Sequence, residues 1–181
     1  MKNVLENTKC LVIGAMEKDR EGGKATREYM AKELKTCGIT LWDHYDNTII
    51  TDTNEGDDTL FDQMEKAREE RDYDKLASFK TIRFNDLSLI DRCDFVICTI
   101  DMDKLSCGTW EELFWANRCK KPIFVHCVQS KQMMPYWMFW TLEHKYFYNS
   151  LDDVLDLLFK INSGEVEIDS SRWKLLKPEF R

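Results

Sequence analysis

Three short segments of this chain carry the residues best suited to chemistry. The first is Asp101-Met102-Asp103-Lys104-Leu105-Ser106-Cys107-Gly108-Thr109-Trp110-Glu111-Glu112. Ser106, Gly108 and Thr109 are residue types that cap a helix and leave its first amides open, which makes an anion site. The spacing places Glu111 and Glu112 in the first turn of that helix, where the dipole favours an ionised carboxylate. Such a carboxylate beside an anion-binding turn can act as a nucleophile, although acids also occur in first turns simply because they stabilise helices. The second segment is Phe84-Asn85-Asp86-Leu87. The commonest role for Asp86 is a helix cap, yet it precedes the strand that feeds the Ser106 loop and can share a cleft with it. Two carboxylates on adjacent loops meet the needs of glycosyl transfer, one at the sugar and one handling the leaving group's proton. The third segment runs from Gly14 to Lys24 and carries Arg20, Gly22, Gly23 and Lys24, with Arg27 one turn later. Its glycines allow close backbone approach and its cations suit a phosphate or carboxylate. A solvated surface loop accounts for the same features.

The elements that must position these residues follow from apolar patterning. Cys10 to Ala15 reads as a buried strand, Ala25 to Cys37 as a helix stopped by Gly38, and Ile39 to Trp42 as a second strand. Asp46 to Lys80 is strongly charged; its first part reads as loop and Thr59 to Arg71 as helix, with Asp57 or Asp58 as a cap. Asn85 to Arg92 reads as a short helix, Asp94 to Ile100 as a strand, Gly108 to Cys119 as a helix and Pro122 to Cys127 as a strand. Tyr146 to Tyr148 completes the strands, and Leu151 to Ile161 is an amphipathic helix. This alternation predicts an α/β fold, a doubly wound, Rossmann- or flavodoxin-like parallel sheet of about five strands with flanking helices. The expected organisation is one domain over residues 1–162, with a charged insertion near 46–80, and a C-terminal tail over 163–181. The tail carries Trp173, Leu175, Leu176 and Phe180 and is expected to dock on the body or a partner.

Bulk properties narrow the choice of partner. A net charge of −7 argues against wholesale binding of a nucleic acid polymer, while leaving a small anion open to local donors. No apolar stretch approaches the ~20 residues of a membrane helix, and the N-terminus carries no apolar signal core. Seven cysteines in no C-x-x-C pair fit a reducing, cytoplasmic setting better than disulfides or zinc. His44, His126 and His144 are scattered and read as ordinary structural histidines. No metal and no cofactor is called for.

The order of motifs resembles the nucleoside 2-deoxyribosyltransferase family. The likeness rests on Asn85-Asp86-Leu87-Ser88-Leu89-Ile90-Asp91-Arg92-Cys93-Asp94, then an apolar strand, then Gly108-Thr109-Trp110-Glu111-Glu112 with Ala116. The opening Val12-Ile13-Gly14-Ala15 and the Arg20–Arg27 region add to it, so that the resemblance covers roughly the first 127 residues apart from the insertion. It implies that Glu112, rather than Glu111, is the nucleophile that attacks the anomeric carbon, and that Asp86 lies by the base and takes part in its protonation. It further implies a small nucleoside or nucleotide substrate and a homodimer or larger homo-oligomer, in which a segment after the Cys127 strand lines a neighbour's pocket. Ser106 stands where transferases acting on free nucleosides often carry aspartate. A serine there is similar to the 2′-deoxynucleoside 5′-monophosphate N-hydrolases, as is the Arg20-to-Lys24 stretch, and both imply a 5′-phosphate on the substrate. Val12 stands where family members often carry a tyrosine that steadies the nucleophile, leaving Tyr29 or Tyr45 as substitutes.

Three other readings stay open. Gly108-Thr109-Trp110-Glu111-Glu112-Leu113 also looks like the motif of cytokinin-releasing phosphoribohydrolases, without the proline-glycine-glycine run those proteins carry before it. A catalytically idle nucleotide sensor would use the same cleft. Finally, Tyr136-Trp137-Met138-Phe139-Trp140 forms a core, a subunit interface or a partner surface.

Overall fold

The computed structural model describes residues 3–15, 20–42, 44, 58–168 and 171–174, the side chains of 20–22 and 58 excepted. Its frame is a five-stranded sheet in the order β2-β1-β3-β4-β5, with β1 Lys9–Gly14, β2 Thr40–Trp42, β3 Phe95–Ile100, β4 Ile123–Cys127 and β5 Phe147–Tyr148. Every strand pair is parallel. The central strands β1, β3 and β4 are nearly continuous apolar runs because helices cover both of their faces. This is the flavodoxin-like order, and the expected doubly wound α/β fold is the one observed.

Alternation along the strands sorts the core into two layers. Leu11, Ile13, Val96 and Cys98 face α4 Lys80–Arg92 and α5 Cys107–Arg118 through Leu89, Ile90, Leu113 and Ala116. Cys10, Val12, Phe95 and Ile97 face α1 Arg20–Lys35 and α7 Leu151–Ser163 through Met30, Leu34, Val154 and Leu158. Helix α1 stops where Gly38 takes a φ of +70°, and α7 stops at Gly164 with a φ of +82°, the left-handed conformation glycine adopts without penalty. Trp173 is buried in the second layer against Phe95 and Phe124, so this part of the tail docks on the body.

Two boundaries differ from expectation in a way that matters for the site. Helix α1 begins at Arg20, not Ala25, so Arg20, Gly22, Gly23 and Lys24 form its first turns and are not a loop. Helix α4 begins at Lys80, so Asp86 sits inside it and caps nothing. In both places glycine, threonine or a charged residue suggested a break, but a first turn tolerates such residues where neighbouring helices supply the packing. Within the charged stretch, α2 Asp58–Glu69 and α3 Tyr73–Ser78 form, and Asp72 caps α3 by accepting from the Lys75 N–H at 2.9 Å. Residues 45–57, and so Tyr45, lie outside the described residues. The aromatic segment divides: α6 Tyr136–Thr141 buries Met138 and packs Phe139 on Phe147, while Tyr136, Trp137 and Trp140 are exposed. Among the described residues no helix is long and apolar enough to cross a membrane.

Candidate active site

The chain reverses its direction of winding between β1 and β3, and a doubly wound sheet binds ligands beyond the strand ends at such a point. A cavity of about 580 Å³ opens there, lined by Gly14 at the end of β1 and by Ser106, Cys107, Gly108 and Thr109 at the start of α5. It lies within the size range of small-molecule sites. The loop that delivers α5 is fixed by its own polar network. Gln129 donates to Asp101 at 2.5 Å and to Asp103 at 3.0 Å, and it accepts from the Met102 N–H at 3.0 Å. Partial burial by itself would raise the Asp101 pKa, but hydrogen bonds from Gln129, the Asp103 N–H and Lys104 outweigh it and hold the carboxyl below its usual range.

Helix periodicity decides which of the two acids is buried. Thr109, Glu112, Leu113 and Ala116 are the buried residues of α5, spaced as one core-facing stripe. Glu112 is therefore an acid in an apolar stripe, 9% exposed and at the cavity wall. Glu111, one residue earlier, also lines the cavity but is more exposed, and its carboxylate accepts from the Arg83 guanidinium, with one bond at 2.7 Å. Because α5 starts at Cys107, both acids lie in its second turn rather than its first, so the dipole acts on them less than the sequence reading assumed. The first turn is left to Ser106, Gly108 and Thr109. Ser106 provides no side-chain cap, and its Oγ instead lies 2.6 Å from Thr109 Oγ1 in a hydroxyl–hydroxyl hydrogen bond. A Cβ added at Gly108 would meet nothing within 4 Å, so no protein packing demands glycine there. The bare backbone leaves the α5 N-terminus open to a ligand.

Asp86 reaches the same cavity from α4, where Phe79, Ile82, Arg83 and Asp86 line it at helical spacing. The two acids meet at a residue the sequence reading set aside. His44, 3% exposed and just beyond β2, brings Nε2 to 2.7 Å from Glu112 Oε1 and 3.8 Å from Asp86 Oδ1. The Glu112 oxygen lies off the ring's N–H direction, so this is a close polar contact and not an aligned hydrogen bond. Burial, with the Arg27 charge second, lowers the His44 pKa to about 3, which makes the ring a neutral imidazole at neutral pH. One donor-type atom from each of His44, Asp86 and Glu112 falls within 4.8 Å of the others, a set that could also hold a cation. His44 had no motif to betray it; the only sequence signal was its position just after a strand.

The basic segment is distributed differently from the expectation. Gly14 lines the cavity, whereas Gly23 and Lys24 do not, and the side chains of Arg20 and Gly22 lie outside the described residues. Lys24 is exposed. Gly23 instead makes room for Arg27: a Cβ there would stand 2.9 Å from Arg27 Nη1, which donates to the Gly23 carbonyl at 3.0 Å. Arg27 is 3% exposed and is the buried cation nearest in influence to His44. The missing tyrosine also resolves. Val12 faces the α1–α7 layer, on the other side of the sheet from α5, so a side chain there is not aimed at Glu112. Tyr29 does not replace it, because its hydroxyl donates to Asp152 at 2.5 Å on the surface. A group that does touch Glu112 is His44.

The profile of nucleoside 2-deoxyribosyltransferases matches residues 18–169, which takes in α1, both carboxylates and the last helix. The chain belongs to the nucleoside 2-deoxyribosyltransferase family. Among solved structures, a 2-deoxyribosyltransferase from Bacillus psychrosaccharolyticus is similar in fold at a TM-score of 0.56 and 15% identity, over 82% of this chain and 91% of that one. The CMP N-glycosidase BcmB from Clostridium botulinum aligns at 0.48 and 19% identity, over 85% and 99%. A 2-deoxyribosyltransferase from Leishmania mexicana aligns at 0.44 and 16%, over 67% and 65%. No curated protein matches the chain by sequence. Membership of the nucleoside 2-deoxyribosyltransferase family assigns the chain, in general terms, to N-glycosidic-bond chemistry, base release or deoxyribosyl transfer.

Proposed function

We propose that the chain cleaves the N-glycosidic bond of a (deoxy)nucleoside 5′-monophosphate, or of the nucleoside, with Glu112 as nucleophile and Asp86 as the acid at the leaving base. The observation that carries this reading is the meeting of the two carboxylates at one cavity, with His44 against both. Their nearest grouped oxygens are within 4.8 Å, close to the spacing of about 5 Å at which a second carboxylate attacks the sugar directly rather than through a water. A Glu112 oxygen forms a bond to the anomeric carbon as the C–N bond breaks, and the electron pair leaves with the base, which takes a proton from Asp86. Water or a second base then displaces Glu112 from the glycosyl-enzyme, with Asp86 taking up the proton. The neutral His44 lies against the Glu112 carboxylate without adding a charge that would neutralise it, as a nucleophile requires.

A 5′-phosphate fits the α5 N-terminus, where Gly108 leaves the backbone uncovered and Ser106 supplies a hydroxyl instead of a repelling carboxylate. The test is a panel of nucleosides and deoxynucleosides with and without 5′-phosphate, read by chromatography of the released base. Base released by wild type and not by Glu112→Ala supports the enzyme; saturable binding without release supports the idle sensor. Preference for phosphorylated substrates, lost in Ser106→Asp, supports the nucleotide reading. Equal use of free nucleosides overturns it. The proposal extends to a cytoplasmic homodimer or larger homo-oligomer of one domain over residues 1–162 plus its tail, with exposed Tyr136, Trp137 and Trp140 as the contact. Light scattering of wild type and Trp140→Glu tests this.

A further inference from the structure

The cavity has a second wall that the catalytic residues do not explain. Helix α2 lines it with Phe61, Met64, Glu65 and Arg68, the spacing of one helical face, and Leu76, Phe79 and Ile82 continue the wall through α3 into α4. The described part of the charged stretch thus forms a side of the pocket. Its charges are matched among themselves. Arg68 lies 2.8 Å from Glu65, and Arg83 is bound to Glu111, so neither pair leaves a net cation facing the cavity. Phe61 is buried, and Met64, Leu76, Phe79 and Ile82 are only half covered by protein. An anion is not what this end is built for, and the sugar and phosphate are accounted for at Glu112 and the α5 N-terminus.

We propose that α2 and α3 are the specificity element of the cavity and select a nucleobase that carries an apolar substituent, which lies against Phe61, Met64, Leu76, Phe79 and Ile82. This rests on the proposed function only in placing the base at this end of the pocket. The reason is that an alkyl or aryl group would remove the half-covered apolar surface of Met64, Leu76, Phe79 and Ile82 from water, which an unsubstituted base edge would leave uncovered.

Calorimetric titration of the full chain tests it with two matched pairs of nucleotides: N6-benzyl-dAMP against dAMP, and 5-phenyl-dUMP against dUMP. Glu112→Ala protein keeps the ligands intact. The substituted member of at least one pair binds tenfold or more tightly, the gain expected when a hydrophobic pocket accepts added carbon. Phe79→Ala and, separately, Met64→Gln reduce that gain to threefold or less, with thermal melts showing both variants folded. Ratios within threefold for both pairs overturn the inference, as does a gain untouched by both variants. Base release by wild-type protein is scored separately. Release of plain bases without any preference for substituents sinks this inference alone, whereas substituent-dependent binding without release sinks only the catalytic reading.

Discussion

Lowering the pH from 7 to 5 is expected to remove about 2 kcal/mol of stability through His44 alone. The imidazole titrates at 6.5 when free and at about 3 when folded. Between those values the unfolded chain binds a proton that the folded chain refuses, so the contribution is complete above 6.5 and is lost as pH falls towards 3. The gap sets a ceiling of about 5 kcal/mol, reached only below pH 3. Other carboxylates titrate over the same range, so the measurement is a difference of differences. Urea unfolding of wild type and His44→Gln at pH 7 and pH 5 cancels every group common to both. Wild type should lose about 2 kcal/mol more than the variant on acidification. Parallel losses in the two proteins would refute the argument that burial governs this ring. A relative gain by wild type at pH 5 would do so more sharply, because it would mean that the imidazolium forms an ion pair with Glu112 and that its pKa is raised. The opposite signs make the experiment decisive about the protonation state of the group beside the nucleophile.

Glu112→Gln keeps the shape of the side chain and removes the attacking charge, so base release should fall on the order of 10⁴-fold or more. Asp86→Asn should cost on the order of 10²- to 10⁴-fold in kcat and flatten the alkaline limb of the pH–rate profile, since it deletes a proton donor rather than the nucleophile. Gly108→Ala should leave the melting temperature unchanged or slightly higher, because its Cβ meets open space, while nucleotide affinity drops about tenfold or more as the methyl covers the α5 N-terminus. Trp173→Ala should destabilise by about 3–5 kcal/mol in urea, the range for emptying a large buried aromatic site, since Trp173 is 4% exposed between Phe95 and Phe124.

Much of the frame was legible along the chain because the signals that encode it are local. The runs Cys10 to Ala15, Asp94 to Ile100 and Pro122 to Cys127 are apolar without alternation, which only a strand covered on both faces tolerates. Glu112 was singled out over Glu111 by the family resemblance of Gly108-Thr109-Trp110-Glu111-Glu112 with Ala116, while the buried stripe of Thr109, Glu112, Leu113 and Ala116 is a finding of the folded helix. What the sequence could not supply was contact between distant segments. His44 follows β2 and Glu112 lies in α5, and nothing in either stretch says they meet at 2.7 Å. Their meeting follows from strand order, which places β1 between β2 and β3 and brings three chain ends to one edge of the cavity. The charged stretch was less legible for a related reason. Phe61, Met64, Leu76 and Phe79 are outnumbered by ions that pair with each other on the surface, and only packing turns that sparse apolar face inward. Local periodicity fixes which way a side chain points; only the folded sheet decides what it points at.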